Sequence, residues 1–164
     1  MKKPELIQNK IYTAHQLKQR CNQWKMLGKT YAFTNGVCDI LHSGHLASLS
    51  AAAAEADFLI IGLNADASVK RLKGDSRPVN NEQSRAQVLA SLLITDAICI
   101  FEEDTPLELI KLILPDVLVK GGDYTVEQIA GSKEVIAAGG RVVINPILEG
   151  YSTTALIEKM KNSK

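Results

Sequence analysis

Short apolar runs alternate along the chain with segments whose apolar residues recur at helical spacing. Five β-prone runs are predicted as strands, at residues 31–34, 57–64, 97–101, 117–120 and 141–145. Helices are predicted between them, at residues 46–56, 82–93, 106–114 and 132–138. The run at 57–64 is almost continuously apolar, which is typical of a strand buried on both faces. This alternation predicts an α/β fold, a single-domain, Rossmann-like, doubly wound parallel sheet of about five strands.

The first 30 residues precede this alternation and are predicted to form an extension and a helix that covers the sheet. Residues 1–12 are polar and are expected to be frayed or laid over the surface. Thr13 is a predicted N-cap for a helix that reaches about Leu27, and Gly28 is its predicted stop. We therefore interpret residues 1–164 as one domain.

Composition narrows the class of protein. A chain of 164 residues, 46% of them hydrophobic, has the length and the core of one ordinary domain. Nineteen basic and 18 acidic residues give a formal charge of +1, which argues against binding to nucleic acid or to an anionic membrane. Three cysteines without CxxC spacing indicate neither a disulfide framework nor a zinc site. The cysteines therefore fit a reducing cytoplasm best. No apolar run approaches the roughly 18 residues needed to cross a bilayer, so a soluble protein is expected.

The segment from Tyr31 to His45 (YAFTNGVCDILHSGH) joins a strand to the start of a helix. Asn35-Gly36 predicts a turn, and an apolar run opens the helix soon after Gly44. A helix start presents unpaired N–H groups and a partial positive charge, so it can bind a phosphate group. A lone histidine is usually structural. His42 and His45 flank Gly44 between a strand and a helix, and this pairing indicates a phosphate-binding site.

Two further polar groups follow predicted strands. Because the loops after the carboxyl ends of parallel strands converge, both groups are expected near the histidines. Lys70, Arg71 and Lys73 are predicted to lie in a loop before Gly74, and a solvated charge patch is the alternative. Residues 120–123 (KGGD) directly follow a strand. Their glycines allow close approach to a ligand, although a simple turn is an equally good interpretation.

Short polar side chains complete the set of candidates. Asp39 and Asp66 each follow a strand, where they either contact a ligand or orient a neighbouring loop or histidine; ligand contact is favoured. Ser152, Thr153 and Thr154 precede a terminal helix, so they are expected N-caps. Their hydroxyl groups can also bind phosphate at the positive end of that helix.

The His-x-Gly-His signature, with Thr34-Asn35-Gly36 and Asp39 before it, resembles the nucleotidyltransferase superfamily. Five later stretches narrow the resemblance: SVKRLKG (68–74), RPV (77–79), EEDTP (102–106), PDVLVKGGDY (115–124) and EGYSTT (149–154). Together they resemble the D-glycero-β-D-manno-heptose 1-phosphate adenylyltransferase domain of ADP-heptose synthesis. The resemblance covers nearly the whole chain. One departure is Cys38, where this family usually has an aromatic residue.

The resemblance implies a reaction and its partners. ATP and the heptose 1-phosphate would give ADP-heptose and pyrophosphate for lipopolysaccharide synthesis, by in-line attack on the α-phosphorus. Mg²⁺ would arrive on the triphosphate, a homodimer is expected, and neither nucleic acid nor a membrane is an expected partner. A sugar kinase precedes this domain in related two-domain proteins, so the sugar phosphate is expected from a separate polypeptide.

The motifs and the resemblance together give three groups of candidate residues. The catalytic candidates are His42, His45 and Lys73. The nucleotide-binding candidates are Phe33, Thr34, Asn35, Gly36, Gly44, Gly121, Ser152, Thr153 and Thr154. The substrate-binding candidates are Asp39, Asp66, Lys70, Arg85, Lys120 and Asp123. Arg77 is a weaker candidate, and no side chain is predicted to bind a metal. The helix start at residues 152–154 is expected to face the helix start at the histidines across the nucleotide.

Other functions stay open at this point. The closest alternative is a cytidylyltransferase acting on glycerol 3-phosphate or a similar small phosphate, because the signature is shared and the residues do not decide between ATP and CTP. A non-catalytic nucleotide-binding domain belongs to another class, but the paired histidines and the lysines argue against it. A flavodoxin-like carrier has the same architecture and leaves the histidines unexplained.

Overall fold

The computed structural model describes residues 3–146 and 153–162. Six strands are present in this part of the chain: β1 Ile11–Tyr12, β2 Tyr31–Gly36, β3 Phe58–Asn64, β4 Ala97–Phe101, β5 Val117–Gly121 and β6 Arg141–Asn145. Eight α-helices accompany them: α1 Glu5–Gln8, α2 Ala14–Met26, α3 Ser43–Ala53, α4 Asp66–Lys73, α5 Glu82–Ala90, α6 Leu107–Ile113, α7 Ser132–Ala137 and α8 Thr153–Asn162. A short 3₁₀ turn spans Val126–Gln128. None of the described helices is both long and apolar enough to cross a bilayer.

The strands form one parallel sheet in the order β1-β4-β3-β2-β5-β6. From β2 the chain runs outward through β3 to β4, and it then returns to place β5 on the other side of β2. The direction of winding therefore reverses between β2 and β5. A reversal of this kind opens a crevice at the carboxyl ends of the two central strands.

Both faces of the sheet are covered, as the continuous apolar run in β3 predicts. On one face Leu17, Cys21 and Trp24 of α2 pack in a core with residues of α6 and α7. On the other face Leu49 of α3 and Leu89 of α5 pack against the sheet. The predicted doubly wound α/β fold is confirmed, with six strands in place of about five.

The amino-terminal extension differs from the expectation. Residues 1–12 were expected to be frayed or laid over the surface, but Ile11 and Tyr12 add a sixth strand to the sheet. They pair with Ile98 and Cys99 of β4, and the Ile98 amide donates to the Lys10 carbonyl at 2.8 Å. A strand of two residues carries no readable alternation of its own and depends on a partner distant in sequence.

The predicted turn at Asn35-Gly36 is wrong, because both residues continue β2 and pair with Gly62 and Leu63 of β3. Gly62 allows this close packing, since a Cβ there would lie 2.6 Å from Cζ of Phe33. The chain turns after Gly36 instead. α3 accordingly begins at Ser43, before the predicted position.

The predicted lysine loop is also wrong. Lys70, Arg71 and Lys73 belong to helix α4, which ends at Gly74 with a φ of 91°. The helix is polar on its outer side and buries only Ser68 and Val69, so its apolar positions are too few to show a helical period.

Candidate functional site

A cavity of about 450 Å³ opens at the point where the winding of the sheet reverses. Its walls come from the carboxyl ends of β2 and β5, the start of α3, the end of α4 and the start of α8. Most of the predicted site residues line it: Thr34, Asn35, Gly36, Asp39, His42, Gly44, His45, Lys73, Lys120, Gly121, Thr153 and Thr154. The topology thus brings together residues that are far apart in sequence.

The two histidines lie side by side at the start of α3. His42 is the N-cap residue, His45 is in the first turn, and the His45 amide donates to the His42 carbonyl at 2.9 Å. Their ring centroids are 4.0 Å apart. Gly44 between them is buried and lines the cavity, so a ligand can come close to the helix start. This arrangement suits an anion, which would meet two imidazole rings and the unpaired backbone N–H groups.

The start of α8 meets the start of α3 at this point. Oγ1 of Thr153 lies 3.3 Å from Nε2 of His42, and it donates a hydrogen bond to the Ile40 carbonyl at 3.4 Å. Thr154 also lines the cavity, whereas Ser152 lies outside the described residues. Two helix starts therefore face one cavity, and the partial positive charges of both favour an anion there.

The surroundings of His45 hold its ring neutral. Burial, together with the neighbouring His42 ring, lowers the pKa of His45 to about 4. Within the described part of the chain, Nδ1 of His45 is buried and has no hydrogen-bond partner. A neutral imidazole still donates one N–H, and a bound anion would favour the second proton.

Lys120 is held on the β5 side of the cavity. Its Nζ donates to Oδ1 of Asn35 at 3.1 Å and lies 5.8 Å from the centre of the Tyr124 ring. Burial lowers the pKa of Lys120. The sequence did not single out Tyr124, because an exposed aromatic residue in a loop carries no positional signal of its own.

Lys73 and Lys70 have different positions although they share one helix. Lys73, the last residue of α4, lines the cavity, while Lys70 is exposed and does not. On the buried side of α4, the Ser68 hydroxyl donates to the carbonyl of Glu103 in the loop after β4. Arg71 pairs with Asp104 at the surface, where both side chains are about half exposed. The Ser68 bond therefore holds α4 against the loop after β4.

Asp39 is buried at the wall of the cavity, and its carboxylate accepts bonds from three protein groups. Nε of Arg77 donates at 2.8 Å, and the amides of Val79 and Asn80 each donate at 2.9 Å. Burial alone raises the pKa of Asp39, but the bonds from Asn80, Val79 and Arg77 outweigh it and place the pKa below its ordinary value. Asp39 therefore holds residues 77–80 against the loop after β2.

Asp66 and Arg85 lie outside the cavity and contact each other. Nη2 of Arg85 donates to Oδ1 of Asp66 at 2.7 Å, Nη1 donates to the Val37 carbonyl at 2.6 Å, and Nε donates to the Asn80 carbonyl at 3.0 Å. Arg85 is only 2% exposed. All three guanidinium nitrogens thus contact protein oxygens, and they join α5 to the loop after β2, to the start of α4 and to the segment just before α5.

The remaining predicted residues are not brought into the cavity. Phe33 is buried in the core beneath it, and Asp123 is exposed beside it. The cavity is also lined by residues that were not predicted to belong to the site: Val37, Cys38, Ser48, Leu49, Ile61 and Tyr124. Among residues 3–146 and 153–162, no group of three or more His, Cys, Asp or Glu side chains is arranged to hold a metal ion.

Comparison with known proteins gives the family. A sequence model of the cytidylyltransferase-like family matches residues 33–159, which include every wall of the cavity. The chain belongs to the cytidylyltransferase-like family. This result confirms the prediction of a nucleotidyltransferase.

Similar proteins within the family carry the name bifunctional protein HldE. The one from Rhodopseudomonas palustris strain BisB5 is 56% identical over 146 residues, which cover 89% of this chain and 30% of that protein. The one from Nitrobacter winogradskyi is 54% identical over 147 residues, which cover 90% of this chain and 30% of the relative. The chain thus spans about 30% of the length of the curated relatives it matches.

Solved structures agree with the fold of this cytidylyltransferase-like protein. The lipopolysaccharide core biosynthesis protein from Thermoplasma volcanium is 25% identical, with a TM-score of 0.60, and the match covers 76% of this chain and 100% of that one. A pantoate–β-alanine ligase from Francisella tularensis is 16% identical, also with a TM-score of 0.60, over 92% of this chain and 76% of the ligase. The ligase supports the fold alone.

Proposed function

We propose that this protein transfers the adenylyl group of ATP to D-glycero-β-D-manno-heptose 1-phosphate, giving ADP-heptose and pyrophosphate. The observation that carries the proposal is the meeting of two helix starts at the paired histidines, with Thr153 Oγ1 3.3 Å from His42 Nε2. The likeness to proteins named HldE supports a place in sugar nucleotide synthesis. The heptose itself rests on the resemblance carried by residues 68–74, 77–79, 102–106, 115–124 and 149–154.

The geometry accounts for the chemistry without a general base. A phosphate oxygen of the acceptor is already a nucleophile, so the protein must position it in line with the α-phosphorus and neutralise charge there. His42 and His45 donate to the α- and β-phosphates as charge moves to the pyrophosphate leaving group. Thr153, Thr154 and the N–H groups of α8 hold the far end of the triphosphate.

The cations on the walls complete this assignment. Lys73 and Lys120 both line the cavity and offset negative charge brought by the two substrates. Mg²⁺ enters as part of the substrate, bound to the triphosphate. A homodimer accompanies the proposal on the resemblance alone, and a cytoplasmic location accompanies it on the cysteine pattern. Sedimentation analysis of the purified protein measures its oligomeric state directly.

A cytidylyltransferase acting on glycerol 3-phosphate is the second candidate. The observation that favours it is the match to the cytidylyltransferase-like family. Backbone groups rather than side chains are expected to read the base. A non-catalytic nucleotide-binding domain predicts binding without turnover.

Pyrophosphate release separates the three candidates. The purified protein is supplied with ATP or CTP and, in turn, with heptose 1-phosphate, glycerol 3-phosphate and other small phosphates. We expect release with ATP and the heptose 1-phosphate. Release only with CTP and glycerol 3-phosphate would refute the heptose assignment, and nucleotide binding without release for every acceptor would favour the non-catalytic domain.

A further inference from the structure

Arg77 is a residue of the cavity to which the proposed reaction gives no role. It follows α4 in a tight turn, in which its amide donates to the Gly74 carbonyl at 3.0 Å. Its side chain is 12% exposed and lines the cavity. Lys73, on the other side of Gly74, lines the same cavity. One short turn thus carries two cationic side chains to one wall.

The guanidinium of Arg77 is oriented through one of its three nitrogens. Nε donates to Oδ2 of Asp39 at 2.8 Å. Within the described residues, no protein oxygen accepts a hydrogen bond from either Nη group, in contrast to Arg85, whose three nitrogens all donate to protein oxygens. The pair of Nη groups is therefore available for a ligand with two oxygens, the pattern that a phosphate offers.

Asp39 is built to hold this orientation. Its side chain is 0% exposed, and it accepts from the amides of Val79 and Asn80 as well as from Arg77. The Asn80 side chain donates in turn to the Asp39 carbonyl at 2.8 Å. Because these bonds fix the carboxylate, the position of the guanidinium is set before a ligand arrives, which reduces the entropy cost of binding.

We propose that Arg77, with Lys73 beside it, binds the phosphate group of the acceptor substrate, and that Asp39 positions the Arg77 guanidinium for this contact. The inference rests on the proposed function, because it assigns one of the two anions of that reaction to this wall. Arg77 touches substrate in this proposal, whereas Asp39 acts through Arg77 and is a positioning residue.

The acceptor phosphate fits this wall better than the triphosphate does. The starts of α3 and α8, with His42 and Thr153, already provide donors for one long polyanion. The acceptor phosphate is a second anion that must approach the α-phosphorus against like-charge repulsion. Arg77 is bound to Asp39, which lies three residues before His42 in the same loop, so its charge is fixed close to the histidines.

Steady-state kinetics test the assignment. The variants are Arg77→Ala, Arg77→Lys and the control Arg71→Ala, which removes an exposed arginine paired with Asp104 outside the cavity. Each KM is measured with the other substrate saturating. We expect Arg77→Ala to raise the KM for the acceptor about 10- to 100-fold, the value of a charged bidentate contact, with the KM for ATP nearly unchanged. Arg77→Lys should recover only part of the loss. Arg71→Ala is expected to change neither KM.

A double-variant cycle tests the role of Asp39. If Asp39 acts through Arg77, Asp39→Asn raises the KM for the acceptor, and adding it to Arg77→Ala raises that KM no further. Additive effects would overturn the positioning role, because a purely structural contribution persists without Arg77. An unchanged acceptor KM in Arg77→Ala, or an equal rise in both KM values, would overturn the substrate contact. Should Arg77→Ala fail to fold, Arg77→Lys takes its place. If Arg77→Lys has the same KM for the acceptor as the unaltered protein, the substrate contact is overturned.

The proposed function can fail independently of this inference. If pyrophosphate is released only with CTP and glycerol 3-phosphate, the same variants are measured with that acceptor, and its KM tests Arg77. If no acceptor reacts, inorganic phosphate is titrated calorimetrically into the unaltered protein, Arg77→Ala and Arg71→Ala. Saturable phosphate binding lost only in Arg77→Ala supports the inference. Binding that is equal in all three proteins, or absent from the unaltered protein, overturns it.

Discussion

His45 shows how the fold sets the charge of a single candidate group. Burial and the adjacent His42 ring lower its pKa to about 4, so the ring is neutral near pH 7 before a ligand binds. A polyphosphate beside the ring would raise that pKa again, because an anion stabilises the imidazolium. The charge of this residue therefore depends on whether the cavity is filled.

This depressed pKa makes stability depend on pH in a defined window. The unfolded chain takes up a proton on His45 near pH 6.5, whereas the folded protein resists it down to about pH 4. We expect the contribution of the neutral His45 ring to the free energy of unfolding to be fully present above pH 6.5. It should be lost as the pH falls toward 4. Urea unfolding across this range measures it.

The matched variants for this measurement are His45→Gln and His15→Gln. His15 is an exposed residue of α2. As the pH is lowered, the free energy of unfolding of His45→Gln should fall less steeply than that of the unaltered protein. His15→Gln should change this pH dependence less than His45→Gln does. Parallel curves for His45→Gln and the unaltered protein would show that the folded state does not lower this pKa.

At the scale of elements, long apolar runs were predictable and short or polar elements were not. β4 and β6 have the predicted bounds, because each contains a short continuous run of apolar residues. β1 could not be read, because its two residues become a strand only through pairing with β4. The predicted turn at Asn35-Gly36 is wrong because pairing with β3 overrides the local preference of these residues for a turn.

Helix α5 offers a test of how elements are joined around the site. Arg85 was predicted to contact phosphate, yet it is buried and connects α5 to Val37 and Asp66. On the structural interpretation, Arg85→Met lowers the free energy of unfolding by about 1.5–3 kcal/mol, because charged hydrogen bonds are lost. Urea denaturation measures this loss, with Gln87→Met on the exposed side of α5 as the control.

Kinetics of the same variant decide between the two roles. Well below its unfolding temperature, Arg85→Met should keep KM values close to those of the unaltered protein if its role is to join elements. Unchanged stability together with a raised KM would instead support the predicted phosphate contact.

At the scale of the whole molecule, topology determines where the chemistry can occur. The winding reverses between β2 and β5, and the cavity opens there, at the carboxyl ends of the strands where the following loops were expected to converge. The paired histidines and the Thr153 hydroxyl were predictable because each belongs to a local motif at a helix start. The Asp39–Arg77 bond was not, since it joins residues 38 apart whose meeting depends on the folded sheet.

The most direct test of the account is the rate of the chemical step when one histidine is removed. Formation of ADP-heptose is measured in a single turnover with the unaltered protein, His45→Ala and the control His15→Ala, after matching their thermal unfolding. The account predicts that His45→Ala slows the step about 10²- to 10³-fold, because it loses one donor to the transition state. A folded His45→Ala variant that forms the product at the rate of the unaltered protein would contradict the account.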